Sequence, residues 1–206
     1  MYIIKHRVNF KEDLDGINLN FGAEIDIRYH NNELILNHDP FNHHKEKNLK
    51  LEDFLENWKS SGPIILNIKT EGIEENCLQI LNDKSITNWF FLDLSMPYFV
   101  KYSMIAKNKL INNFTIDNLA VRFSDKEPIE YALSFTNLAK WIWVDYFESF
   151  PLNKENYNIL KENNFKICLV SPELQNHSID KIENIKKIVN DLNIDAVCTK
   201  HPDMWI

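Results

Sequence analysis

A chain of 206 residues, 44% of them apolar, carries enough material for one core, and a single domain over residues 1–206 is expected. The 23 Lys and Arg are outnumbered by 30 Asp and Glu, a net charge of −7, which argues against a nucleic-acid partner because such binders present a basic face. The opening apolar run stops at Lys5, and neither a signal peptide nor a membrane span is expected anywhere in the chain.

In chain order, short runs rich in β-branched and aromatic residues read as buried strands: "YIIK" (2–5), "AEIDI" (23–27), "PIILNI" (63–68), "WFFLDL" (89–94), "LAVRF" (119–123), "WIWVDYF" (141–147), "KICLV" (166–170) and "DAVCT" (195–199). Helical periodicity falls between most of them. Leu51, Phe54, Leu55 and Trp58 share a face within 49–59, and Ile73, Cys77, Ile80 and Leu81 do so in the next segment. Further helices are expected after Pro97, over 128–140, over 153–164 and over 178–193, the last with Ile182, Ile185, Ile188 and Val189 along one face. Strands alternating with helices predict a parallel α/β fold. Their number favours a compact (β/α)8 TIM barrel, with a reduced or missing first helix because "RVNFKEDLDGINLNFG" is too polar and too brief for a full one. A doubly wound sheet would want a glycine-rich first turn, and none of the four glycines forms a G-x-G. Cys77, Cys168 and Cys198 are far apart and odd in number, as expected of reduced, buried thiols in a cytoplasmic protein.

The chemistry gathers at strand ends. In "EIDIRYHNNELILNHDP" alternation puts Glu24, Asp26 and Arg28 on one face and Ala23, Ile25 and Ile27 on the other. Two readings of the acid pair are open. It is either solvated on an exposed edge, or it faces the barrel interior, where a hard cation such as Mg2+ or Ca2+ relieves the repulsion. Adjacent first and second strands would bring His6 and Arg7 beside the pair. On the next strand Asn67 and Lys69 share a face, and His38 and Asp39 follow an extended stretch entered through an Asn31-Asn32 turn. Such a cluster at the C-terminal ends of barrel strands is where this architecture performs catalysis.

These motifs together resemble the glycerophosphodiester phosphodiesterase family, within the phosphatidylinositol-phospholipase-C-like barrels. The likeness rests on "HR" after the first strand, "AEIDIRYHNNELILNHDP", "ILNIK" and, more loosely, "DAVCTKHPD". It implies metal-dependent hydrolysis of a small-molecule phosphodiester. His6 and His38 would be the acid-base pair, Glu24 and Asp26 would hold Mg2+ or Ca2+, and Lys69 and Arg7 would neutralise the phosphate. Three departures stand out. Asn67 occupies the place of a third acidic ligand, with Glu71 or Asp93 as substitutes by position. The step after "HR" that supplies a glutamate is replaced by "VNFKEDLDGINLN", and a long insertion is absent. Two alternatives follow from them: a repurposed, non-catalytic barrel that binds a phosphorylated ligand, or a surface-polysaccharide tailoring enzyme acting on a nucleotide- or glycerol-linked diester.

Other positions carry two readings each. Trp143 and Asp145 are core aromatic and strand-end acid, or they shape the non-phosphate part of a substrate. Arg122 is an inward anion contact, or it faces helices and solvent, and Glu173 is ambiguous in the same way. His43 and His44 read as loop residues that would cover the site, His30 as a turn residue, and His177 as a solvated loop residue.

Overall fold

A computed structural model describes residues 1–40 and 48–206; His43 and His44 lie outside the described residues. All eight predicted strand segments form: β1 (Tyr2–Lys5), β2 (Gly22–His30), β4 (Ile64–Ile68), β5 (Trp89–Leu92), β6 (Ala120–Phe123), β7 (Trp141–Val144), β8 (Lys166–Val170) and β9 (Ala196–Thr199). They are parallel neighbours in the order β5-β4-β2-β1-β9-β8-β7-β6. The ring closes between β5 and β6 through one bridge, Phe91 to Leu119. The side-chain amide of Asn118, itself buried, donates to the Trp89 carbonyl at 2.9 Å and replaces a ladder bond at this seam. The molecule is therefore a nearly closed (β/α)8 barrel, as expected.

β2 is the longest strand, and its C-terminal half pairs antiparallel with β3 (Glu33–Leu36), in the register Ile27 to Leu36 through His30 to Glu33. Asn31 and Asn32 both take positive φ, 49° and 63°, the two-residue geometry that continues the twist of a hairpin. At the other end of β2 the chain packs against the residue leading into β4 so closely that a Cβ on Gly22 would sit 2.4 Å from the Pro63 carbonyl.

Alternation sorts each strand into two faces. Ala23, Ile25 and Ile27 join the apolar layer beneath the helices. The other face fills the barrel interior, where Phe90 stacks on Trp141 with ring centroids 4.7 Å apart. Rings of this size leave room only for small partners, and β6, β8 and β9 supply Ala120, Cys168, Ala196 and Cys198.

The helices are α1 (Lys11–Asp15), α2 (Leu51–Asn57), α3 (Glu74–Asp83), α4 (Met96–Lys107), α5 (Ile129–Leu133), α6 (Lys154–Glu162) and α7 (Lys181–Val189). The first helix is reduced to five residues with a single buried anchor, Leu14. Two expectations are corrected. The helix expected over 128–140 stops at Leu133, because the Ser134 and Thr136 hydroxyls donate back to the Tyr131 and Leu133 carbonyls and Asn137 turns to φ 63°. On α7, Ile188 is 52% exposed while Ile182, Ile185 and Val189 are buried, since position 188 lies at the edge of a stripe spaced i, i+3, i+7. Among the described residues no helix is long and apolar enough to cross a membrane.

Candidate active site

At the C-terminal mouth of the barrel a cavity of about 210 Å3 is lined by His6, Arg7, Glu24, His38, Asn67, Lys69, Asp93, Arg122, Trp143, Asp145 and Gln175. It gathers the side chains of seven barrel strands, or of the residues just beyond them, and His38 from the loop after the β2–β3 hairpin. A wider groove of about 1140 Å3 lies elsewhere, between α1, the β2–β3 hairpin and α2, and shares no residue with this cavity.

The acids of β2 face inward, as the alternation requires, and are almost wholly buried, Glu24 at 2% and Asp26 at 0% exposure. Glu24 Oε2 accepts the Arg7 backbone N–H at 2.9 Å, and Oε1 accepts the Asn67 amide at 2.8 Å. The first of these bonds accounts for the backbone of Arg7, whose φ of 55° turns its N–H into the barrel. Asp26 is gripped twice by Asn9, whose amide donates to Oδ2 at 2.7 Å and whose Oδ1 accepts the Asp26 backbone N–H at 2.9 Å. Burial, and then repulsion from Asp26, lift the Glu24 carboxyl to about 7.

His6 Nε2 stands 3.6 Å from Glu24 Oε2. This contact is not an ion pair near neutrality: desolvation, helped by the charges of Arg7 and Lys200, pushes His6 down to about 3 and keeps its imidazole neutral. Across the cavity, His38 Nδ1 meets Asp39 Oδ1 at 3.0 Å and Nε2 meets Arg7 Nη2 at 2.6 Å. A guanidinium only donates and a carboxylate only accepts, so Nδ1 carries the proton and Nε2 offers its lone pair. Arg28 shares the face of the acids but serves as a clamp. It donates to the His38 carbonyl at 3.1 and 2.7 Å and to the Lys69 carbonyl at 3.1 Å, fixing the two loops that carry those side chains.

Lys69 lies between two carboxylates, 3.4 Å from Asp26 Oδ1 and 3.6 Å from Asp93 Oδ2. Arg122 points inward, which resolves its ambiguity. Its Nε and Nη2 reach Asp93 Oδ1 at 2.8 and 2.6 Å, and its Nη1 pairs with Asp145. Asp145 also accepts from Gln175 at 2.8 Å, and burial raises its carboxyl to about 6 against the pull of Arg122. Trp143 lines the cavity from the same strand.

Glu173 is placed differently. Its Oε1 accepts from the Thr199 hydroxyl at 2.7 Å and the Lys200 N–H at 2.9 Å, while Oε2 accepts from Ser171. These bonds staple the turn after β8 to the end of β9, and the neighbours Leu174 and Gln175 line the cavity instead. Of the suggested substitutes for a third acid, Asp93 lines the cavity, whereas Glu71 is exposed and does not. His177 is half-buried and stacks on Tyr146 at 4.1 Å, so it is not the solvated residue expected. The three cysteines are buried and free, and burial raises all three thiols. Sequence reasoning missed Asn9 and Gln175 altogether; only the position of Asn9, two residues after Arg7, hinted at the first.

Among the described residues no group of three or more His, Cys, Asp or Glu could hold a metal ion. The oxygen donors at hand are Glu24, Asp26 and the amide of Asn67. Asp26 Oδ1 and Asn67 Oδ1 are buried and accept no hydrogen bond among the described residues. Orphaned oxygens beside two acids suit a hard cation, which takes oxygen ligands and offsets their repulsion.

No protein-family model and no curated protein matches the chain. Solved structures do. A glycerophosphodiester phosphodiesterase of Agrobacterium tumefaciens superposes with a TM-score of 0.71 at 12% identity, over 100% of this chain and 99% of that one. A glycerophosphoryl diester phosphodiesterase of Parabacteroides distasonis does so with a TM-score of 0.65 at 11% identity, over 98% of this chain and 84% of that one. The chain therefore shares the fold of the glycerophosphodiester phosphodiesterases over its full length.

Proposed function

We propose that the protein hydrolyses a small phosphodiester, such as a glycerophosphodiester, with a divalent cation, Mg2+ or Ca2+, held by Glu24, Asp26 and Asn67. The observation that carries this reading is the placement of two imidazoles, His6 beside the acids and His38 held by Asp39 and Arg7, in one cavity that also holds Lys69. A bound cation would supply charge neutralisation at a phosphate oxygen. The rest is done by the side chains of the chain itself.

His6 is neutral and close to the acids, so it accepts the proton of the attacking hydroxyl, whether from water or from the substrate. His38 is oriented by Asp39 through Nδ1, which leaves Nε2 toward Arg7 and the cavity. When a phosphate oxygen takes the Arg7 N–H now donated to Nε2, that nitrogen is free to take a proton from solvent. His38 then gives this proton to the leaving oxygen as the P–O bond breaks. Lys69 and Arg7 neutralise charge that builds on the phosphoryl oxygens. Arg122, Asp145 and Trp143 face the remainder of the substrate. The net charge of −7 disfavours nucleic acid as that substrate.

The test is a panel of glycerophosphodiesters, nucleotide-linked diesters and phosphatidyl head-groups, with and without EDTA. His6→Gln and His38→Gln should each lower kcat by about 10²–10⁴-fold while leaving the melting temperature unchanged. Full activity of both variants on every diester that the parent cleaves would sink the assignment.

A further inference from the structure

Five charged side chains of alternating sign run round the mouth in an unbroken line: Asp26, Lys69, Asp93, Arg122 and Asp145. They stand on or just beyond β2, β4, β5, β6 and β7, which are five consecutive staves of the barrel. Asp93 is the middle member and binds a cation on each side, Lys69 from β4 and, across the β5–β6 seam, Arg122 from β6. It reaches Lys69 through Oδ2 at 3.6 Å and Arg122 through Oδ1 at 2.8 and 2.6 Å. Its backbone sits in the left-handed region at φ 61°, a conformation Asp tolerates better than most residues.

Lys69 is shared and not locked. Both of its carboxylate contacts are longer than a normal charge-assisted bond, and it donates no hydrogen bond to either. Take Asp93 away, and Coulomb attraction from the buried Asp26 is left without an opponent. Lys69 would then close on Asp26 Oδ1, one of the two orphaned oxygens available to a cation. Arg122 would lose its bidentate hold and keep only Asp145.

We propose that Asp93 is a positioning residue: it holds the Lys69 ammonium midway across the mouth, ready for an anion, and keeps it off the cation-binding oxygen of Asp26. The proposal rests on the phosphodiesterase reading for its anion, but the placement of Lys69 is testable without turnover. Asp93→Asn is the informative variant, because Asn removes the charge and accepts the same left-handed backbone.

Three readouts apply to the parent and to D93N. Calorimetry with inorganic phosphate should show at least a tenfold weaker affinity in the variant. Calorimetry with Mg2+ or Ca2+ should show a loss of several-fold, since Lys69 now competes for Asp26. In nitrogen-15 spectra of the lysine ammonium groups, the Lys69 signal, assigned by Lys69→Arg, should move. A purely structural role predicts a lower melting temperature with none of these three changes. If D93N leaves the phosphate affinity and the Lys69 signal as in the parent, or if the parent binds no phosphate at all, the proposal is overturned. If instead these shifts appear in a protein that cleaves no diester, the positioning role stands and the hydrolase reading falls. Should D93N fail to fold, Asp93→Ser takes its place, with the same outcomes.

Discussion

At the scale of single residues, the site is governed by the cost of burying two carboxylates side by side. Asp26 escapes part of it through Asn9, and Glu24 through Asn67 and the Arg7 backbone. What remains appears as the raised Glu24 carboxyl, at about 7 against an ordinary 4.5. The sign of the linkage follows. A carboxyl raised on folding adds stability that is fully present below its unfolded value and is lost as pH climbs through about 7. In EDTA the parent should therefore lose stability between pH 4.5 and about pH 7 relative to Glu24→Gln, which cannot ionise. Urea unfolding at both pH values checks this, and parallel behaviour of the two proteins would rule it out. The pair E-x-D was legible in the sequence, but the cradle was not, because Asn9 reaches Asp26 only once β1 and β2 lie side by side.

At the scale of elements, the strands were easier to read than the helices. Strand interiors are buried on both sides, so "WFFL" and "KICLV" declare themselves by composition alone. The C-terminal end of α5 did not, since the hydroxyls of Ser134 and Thr136 divert the backbone after one turn. The weakest joint of the barrel is the β5–β6 seam, and Asn118 bridges it. Its amide donates to the Trp89 carbonyl while its Oδ1 accepts the Thr115 N–H at 2.9 Å. Removing these two hydrogen bonds costs about 2 kcal/mol. Asn118→Ala should thus lower the melting temperature, and amide exchange should quicken in β5 and β6 while β1 and β9 keep their protection. Uniform acceleration across all strands would contradict a local role.

At the scale of the whole molecule, fold and cation should be linked. A ligand that binds only the folded chain stabilises it by about 2.7 kcal/mol at one hundred times its dissociation constant. For a domain of this size that raises the melting temperature by about 5–10 °C. Asn67→Asp replaces the amide with a third carboxylate of the same shape. Without cation this variant should melt below the parent, because three acids now crowd one buried site. With millimolar Mg2+ or Ca2+ the order should reverse. Differential scanning fluorimetry with both ions tests this, and a melting temperature indifferent to either ion in both proteins would remove the cation from the Glu24, Asp26 and Asn67 set.

The sequence alone determined the alternating architecture, the shared face of Glu24 and Asp26, the shortened first helix and the strand-end or loop positions of His6 and His38. Each of these follows from a period of two or 3.6 or from a motif a few residues long, which is local information. Only the tertiary structure decided that Arg122 is bound on both sides, that Glu173 staples β8 to β9, that Arg28 clamps two loops, and that Asp93 stands between Lys69 and Arg122. Those are contacts between residues 10 to 41 positions apart, most of them on different staves. No periodicity encodes them, because a side chain's partners across a barrel are set by the closure and stagger of the sheet.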